Sequence, residues 1–197
     1  MAAILGQCAK GLIFIVSAPA GTGKTTLVQM LAQEFPSIVA SVSYTTRAPR
    51  LGEQEGKHYH FISQQAFKEK IDESDFLEYV QLYQDYYGTS QQWINKQIHQ
   101  GKHVVLVIDT QGALQLKNKI AATFIFIRPP SLEILKARLI NRQTESIAII
   151  DTRLTWAQYE LEQADLYDYQ IVNDDLAVAY QALRSVVIAE TYRTRKN

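Results

Sequence analysis

The sequence is short of several things, and each shortage closes off a class of function. Cys8 is the single cysteine among 197 residues, so no internal disulfide is available, and a reducing, cytoplasmic setting is expected. Neither charge sign is in excess, with 20 Lys and Arg against 20 Asp and Glu. Proteins that work on nucleic-acid backbones or anionic membranes carry a basic surplus, so neither is an expected partner. Any phosphate binding must come from local geometry rather than from a global field. No run approaches the roughly 20 apolar residues that span a bilayer. Lys10, Leu12–Val16 and Ser17–Ala20 faintly resemble a secretory leader, but that apolar run is shorter than the roughly seven residues a leader needs. Repeats, low-complexity tracts and linkers are missing as well. A chain this long buries roughly 70% of its unfolded surface, enough for one self-sufficient core.

What is present is a rhythm of short apolar runs and longer helical segments. The runs Leu12–Val16, Val39–Tyr44, His103–Asp109, Thr123–Arg128 and Tyr169–Asn173 lack in-out alternation and read as strands buried on both faces. Leu27, Val28, Leu31 and Phe35 keep one helical face after the first run. Thr89 or Ser90 opens a polar helix over Gln91–Gln100, Ser131 caps one carrying Leu132, Leu135 and Leu139, and Asp174 or Asp175 opens the last. The expectation is an α/β fold with five parallel strands covered by helices. Ser43–Phe61, rich in Arg, Gly, Tyr and His, and Arg142–Asp151 break the rhythm and read as inserted loop regions, with Arg153 beginning the helix that follows the second.

The first strand runs into Ser17-Ala-Pro-Ala-Gly-Thr-Gly-Lys-Thr-Thr26. Apart from Ala18, which stands where the first glycine belongs, this is a G-x-x-x-x-G-K-[ST] phosphate loop. Gly21 and Gly23 let the backbone N–H groups of the stretch Ala18, Pro19, Ala20, Gly21, Thr22 (all but Pro19, which has none) turn inward on a polyphosphate. The following helix adds its positive end, Lys24 a mobile cation, and Thr25 a hydroxyl for Mg2+ beside Thr26. Alanine at position 18 costs little if its φ is negative. A second anion site is suggested by Arg47 and Arg50 around a proline, with the phenol of Tyr59 downstream, since arginine forks grip phosphate bidentately.

These segments, with Ser41–Glu53, Gly56–Tyr59, Phe76–Tyr79, Tyr86–Thr89, Ile108–Gly112 and Ile171–Leu176, resemble guanylate kinase in order and spacing over nearly the whole chain. The resemblance implies a phosphate-loop kinase core, an inserted β-rich GMP-binding region and a short helical lid. Their bounds would be about 11–42, 100–138 and 166–197 for the core, 43–99 for the insertion and 139–165 for the lid. It implies ATP and GMP or dGMP as substrates, Mg2+ with ATP, and a monomer or homodimer. Arg47, Arg50, Tyr59 and Tyr87 match positions that hold the GMP phosphate, and Ser43, Glu78, Thr89 and Asp109 match positions around guanine. Arg138, Arg142 and Arg153 match lid and hinge arginines, and Asn173 a position near adenine. The chemistry agrees: one carboxylate accepts from guanine N1–H and N2–H together, whereas adenine would set a lone pair against it. The hydroxyls of Ser43 and Thr89 are suited to donate to O6.

Three departures stand out. Val107 replaces an acidic residue, His58 replaces an aspartate, and the lid is reduced to Gln143–Ser146 before turning apolar. A rival reading is a scaffold module that keeps the fold without the chemistry, but such modules usually lose the lysine that is present here as Lys24. His58 and His60 have no third ligand nearby, so zinc is not expected. The Tyr83–Tyr87 cluster lacks the basic groove of a nucleic-acid platform.

Overall fold

The computed structural model describes residues 4–6, 10–82, 84–141 and 146–194. Cys8, Tyr83, Arg142 and the lid residues Gln143–Glu145 lie outside them. In chain order the first half contains β1 (Ile13–Ser17), α1 (Lys24–Glu34), β2 (Ile38–Ala40), β3 (Tyr44–Thr45), β4 (His60–Phe61), α2 (Gln64–Asp72), β5 (Phe76–Leu82) and β6 (Asp85–Ser90). The second half contains α3 (Gln91–His99), β7 (His103–Val107), α4 (Thr110–Leu116), β8 (Thr123–Arg128), α5 (Leu132–Asn141), α6 (Ile147–Glu162), β9 (Tyr169–Val172) and α7 (Leu176–Tyr192).

The main sheet is parallel throughout, in the order β2-β7-β1-β8-β9. Its central strand β1 shows why a continuous apolar run was needed. Phe14 and Val16 point into a core shared with Leu27 and Leu31 of α1 and Leu183 and Val187 of α7. Ile15 points the other way, onto Ile94 of α3, Ala113 and Leu116 of α4, and Leu106 and Phe126. Burying each such side chain contributes about 1.5–3 kcal/mol, so the two-sided burial of β1 and its neighbours anchors the whole sheet. Among the described residues no helix is long and apolar enough to cross a membrane.

The second sheet, β4-β3-β6-β5, is mixed: β3 and β4 run parallel, while β6 is antiparallel to both β3 and β5. It grows from the segment expected as one strand over Val39–Tyr44, which the structure divides. β2 stops at Ala40 in the main sheet, and β3 starts at Tyr44 in the other. Ser41–Ser43 make the crossing, with the Ser41 N–H still bonded to Val105 O at 2.9 Å. Side-chain caps end several elements where the sequence placed them: Ser90 accepts from Trp93 N and Asp175 from Val178 N.

The region Arg142–Asp151 differs from its reading as a loop insertion. From Ile147 onward it is the start of α6, a helix of 16 residues. Arg153 therefore sits in the second turn of α6 rather than at its beginning. Ile147 and Ile149 are exposed and only Ile150 turns inward, which is why the run looked out of place by periodicity.

Candidate active site

The phosphate loop lies between β1 and α1, at the carboxyl end of the central strand. Gly23 has φ 87°, ψ 11° and is the N-cap of α1. Asn173, on the connection from β9 to α7, donates its Nδ2 to Thr22 O at 2.6 Å. A Cβ at position 23 would lie 2.5 Å from that nitrogen, so glycine is required both by the left-handed backbone and by the close approach. Ala18 is absent from the residues with positive φ, so its methyl group carries no backbone strain. The Thr22 hydroxyl bonds Pro19 O at 2.9 Å and closes the loop on itself.

Lys24 reaches back across this loop. Its Nζ donates to Ala18 O at 3.2 Å and to Ile108 O at 3.3 Å. Burial lowers its pKa, while the charges of Glu160 and, less strongly, Asp109 act the other way. Two carbonyls are weak compensation for a desolvated ammonium, so the group is poised for a stronger anionic partner.

Ile108 is followed by Asp109, whose Oδ1 caps α4 by accepting from Gly112 N at 2.7 Å. Its Oδ2 is buried without a hydrogen-bond partner. Close by, Glu78 is buried on β5, where Thr89 of β6 donates its hydroxyl to Oε1 at 2.6 Å. Burial raises the Glu78 pKa to about 7, with the Thr89 hydrogen bond opposing and Asp109 adding to the rise. A Cβ on Gly112 would sit 2.5 Å from Glu78 Oε2 and 3.3 Å from Asp109 Oδ1, so the missing side chain is what lets both carboxylates meet at the first turn of α4. The Thr89 hydroxyl, expected from the sequence to donate to O6, is here directed at Glu78. Ser43 lies half-buried on the crossing between the sheets, its carbonyl accepting from His60 N at 2.9 Å. The Ser41 hydroxyl, to which the sequence reading gave no role, is buried without a hydrogen-bond partner.

The second anion site hangs from the mixed sheet. Arg47 Nη2 pairs with both oxygens of Glu53, at 2.9 and 3.0 Å, and Nη1 donates to Ala48 O at 2.6 Å. Glu53 also accepts from Arg50 N at 2.7 Å. Burial works against ionisation of Glu53, but these hydrogen bonds prevail and leave its pKa below the ordinary value. Arg47 lies 5.4 Å from the centre of the Tyr59 ring, which meets Tyr87 edge-on at 5.9 Å. The structure therefore brings Arg47, Tyr59 and Tyr87 together, with Glu53 bracing the guanidinium and the exposed Arg50 alongside.

Arg138 of α5 is turned to the other side of the loop, where Nη1 donates to Asn173 O at 2.8 Å and Nη2 to Asp174 O at 3.3 Å. Arg153 is half-buried on α6. Arg142, expected one turn after Arg138, lies outside the described residues. The same α6 carries Glu160, whose Oε1 accepts from the Thr110 hydroxyl at 2.9 Å. Nothing in the spacing of the sequence singled out Glu160; its partners are 50 and more positions away.

A phosphate loop at the end of a central parallel strand, with a braced arginine on the segment leaving a second sheet and the helices α5 and α6 beside the loop, defines a nucleotide kinase of the phosphate-loop class. A family model described as guanylate kinase matches residues 10–190. A guanylate kinase from Protochlamydia amoebophila is 64% identical over 97% of this chain and 97% of its own length. One from Chlamydia muridarum is 49% identical over 95% of this chain and 91% of its own. Among solved structures, guanylate kinase from Anaplasma phagocytophilum has a TM-score of 0.78 at 31% identity, covering 94% of this chain and 89% of that one. The chain belongs to the guanylate kinase family.

Proposed function

We propose that this protein transfers the γ-phosphoryl group of MgATP to a phosphate oxygen of GMP, or of dGMP, giving ADP and the nucleoside diphosphate in purine nucleotide metabolism in the cytoplasm. The observation that carries this reading is the buried pair Glu78 and Asp109. Glu78 accepts from guanine N1–H and N2–H, and the unpaired Asp109 Oδ2 suits the second N2–H. Adenine has no such donor edge and would leave a buried carboxylate facing a lone pair.

The acceptor oxygen is already anionic, so the reaction needs no general base. The bond from the γ-phosphorus to the β-bridging oxygen breaks as the bond to the GMP oxygen forms, and the protein contributes alignment and positive charge. The backbone of Ala18–Thr26 cradles the ATP phosphates, and Lys24 leaves its two carbonyls for the β and γ oxygens. Arg47, Arg50, Tyr59 and Tyr87 hold the GMP phosphate. Arg138, Arg142 and Arg153 neutralise the transferring group as the flap closes and water is expelled. Asn173 serves the ATP side by fixing Thr22 within the loop.

The donor set near the loop suits a hard cation that arrives with its triphosphate. Thr25 offers an exposed hydroxyl, and among the described residues no three acidic, His or Cys side chains form a ready cage. Mg2+ held by Thr25 and the phosphates supplies charge neutralisation on the β and γ oxygens. In this scheme the core spans about 11–42, 100–138 and 166–197, the GMP region 43–99 and the lid 139–165.

ADP release from MgATP, measured with GMP, dGMP, IMP, AMP, CMP and UMP in turn, tests the reading. Turnover with GMP and dGMP at least about 100-fold above that with AMP is expected. Equal turnover with AMP, or none with any acceptor, contradicts it.

A further inference from the structure

One carboxylate at the floor of the cleft has no part in the scheme above. Glu160 belongs to the last turns of α6, and its Oε1 is held by the Thr110 hydroxyl at 2.9 Å. Thr110 is almost fully buried at the first position of α4, so it moves only with the end of β7. The three residues Ile108, Asp109 and Thr110 thus have distinct attachments. The Ile108 carbonyl holds Lys24, the Asp109 carboxylate lines the base site, and the Thr110 hydroxyl grips α6.

The grip matters because of what α6 carries. Arg153 precedes Glu160 by seven residues, two helical turns, so both lie on one face of the helix, with buried Ala157 between them. Apolar anchoring of the α5–α6 pair is slight: its own cluster consists of Leu135, Leu139, Ile150 and Ala157, with Leu132 and Leu154 alongside, and among the described residues only Leu161, in the last turn of α6, packs against the main core. So small a cluster leaves the rotation of α6 weakly determined, and a polar contact of defined direction settles it. Val107, at the end of β7, packs its side chain on the core beside α1 and offers no polar contact in this place.

We propose that Glu160 is a positioning residue for phosphoryl transfer: the hydrogen bond from Thr110 sets the register of α6 on the end of β7, and so places Arg153 over the transferring group. This rests on the reaction proposed above, but one of its tests does not. The carboxylate also faces Lys24 through space, which favours the same docked arrangement of α6 while the cleft is empty.

The test uses the full chain with Thr110→Val, Glu160→Ala and the conservative changes Thr110→Ser and Glu160→Gln. With MgATP and GMP, Thr110→Val and Glu160→Ala lower kcat about tenfold or more, while both KM values stay within about threefold. Thr110→Ser keeps the donor and Glu160→Gln keeps the accepting oxygen, and each recovers most of the loss. Thr110→Val at the parent rate, Glu160→Gln as slow as Glu160→Ala, or a rise in KM with kcat unchanged overturns the proposal. Amide hydrogen exchange in the ligand-free protein tests the latch whatever the acceptor is. Exchange across α6 is expected to be about tenfold faster in Thr110→Val than in the parent, with β1 and β8 unchanged. Equal exchange across α6 also overturns the proposal. A parent that exchanges as described but leaves GMP untouched counts against the proposed reaction instead.

Discussion

Glu78, proposed to read the base, carries a cost in stability that follows from its burial. Burial lifts its pKa from 4.5 to about 7. A folded-state pKa above the unfolded value favours the protonated form. The group is therefore without penalty below about pH 4.5, and stability falls as pH rises from there through 7. Above that the cost is on the order of 3 kcal/mol. Glu78→Gln should therefore raise the urea midpoint of the free protein at about pH 8 and leave it nearly unchanged at about pH 4.5. GMP affinity behaves oppositely, because guanine needs the carboxylate. Calorimetric titration should show parent affinity falling toward tenfold per unit as pH drops below about 7, relative to Glu78→Gln. A parallel pH dependence in the two proteins would count against Glu78 facing the base.

The two cations nearest the chemistry differ in how they are held. Lys24 rests on two carbonyls and is free to exchange them for phosphate. Lys24→Ala should lower kcat by about 100-fold or more and leave GMP affinity within a few-fold, because the acceptor site is elsewhere. Arg47 is fixed by the two oxygens of Glu53 in a partly buried pair. Glu53→Ala removes that brace, and the KM for GMP should rise about tenfold in steady-state kinetics as the guanidinium loses its preset direction. An unchanged KM would mean that Arg47 needs no brace.

Individual elements were unequally legible in the sequence. β1, β7 and β8 appeared within one or two residues of their bounds because burial on both faces leaves an unbroken apolar run. β9 did so too, although it is an edge strand whose Gln170 and Val172 are exposed, against the expectation of two-sided burial, and the Ser90, Ser131 and Asp175 caps marked helix starts. The break at Ser41–Ser43 was not legible, since a strand that changes sheets keeps the same residue preferences on both sides. The first turns of α6 were missed for a different reason. Ile147 and Ile149 face solvent, so the helical period is inverted there, and α6 is held instead by α5, by Thr110 and by Leu161 against the main core. Lys24 and Arg47 stood out in short motifs, and Asp109 through the family resemblance. Glu53 as a brace, Ser41 as a buried hydroxyl and Glu160 could not, because each depends on a neighbour that only the fold supplies.

The lightly anchored α6 also makes a prediction of its own. Trp156 lies on α6 and is 44% exposed, beside Tyr159. In a Trp93→Phe background its fluorescence should shift to the blue when GMP and a non-hydrolysable MgATP analogue are both present, and less with either alone. Identical spectra with and without the ligands would argue against movement of this helix.

At the scale of the whole molecule, zero net charge conceals a strong local arrangement. Lys24, Arg47, Arg50, Arg138 and Arg153 lie on four different elements or their connections, the start of α1, the arm before β4, α5 and α6, and the proposed reaction requires them at one cleft. Balancing carboxylates are partly within that cleft as well. Glu53 braces Arg47, and in the proposed scheme Glu78 and Asp109 read the base and Glu160 latches α6. A cleft with both signs in fixed positions can take two polyanions without the general phosphate affinity that a basic protein would show. In the proposed reaction it also directs the phosphoryl group to GMP instead of water, because the site is complete only when both nucleotides are bound. Chromatographic quantitation of ADP and GDP from MgATP and GMP tests this most directly. The account predicts one GDP for every ADP, with ADP formation at most about 1% as fast when GMP is left out. ADP accumulating without GDP, at a rate indifferent to GMP, would contradict it.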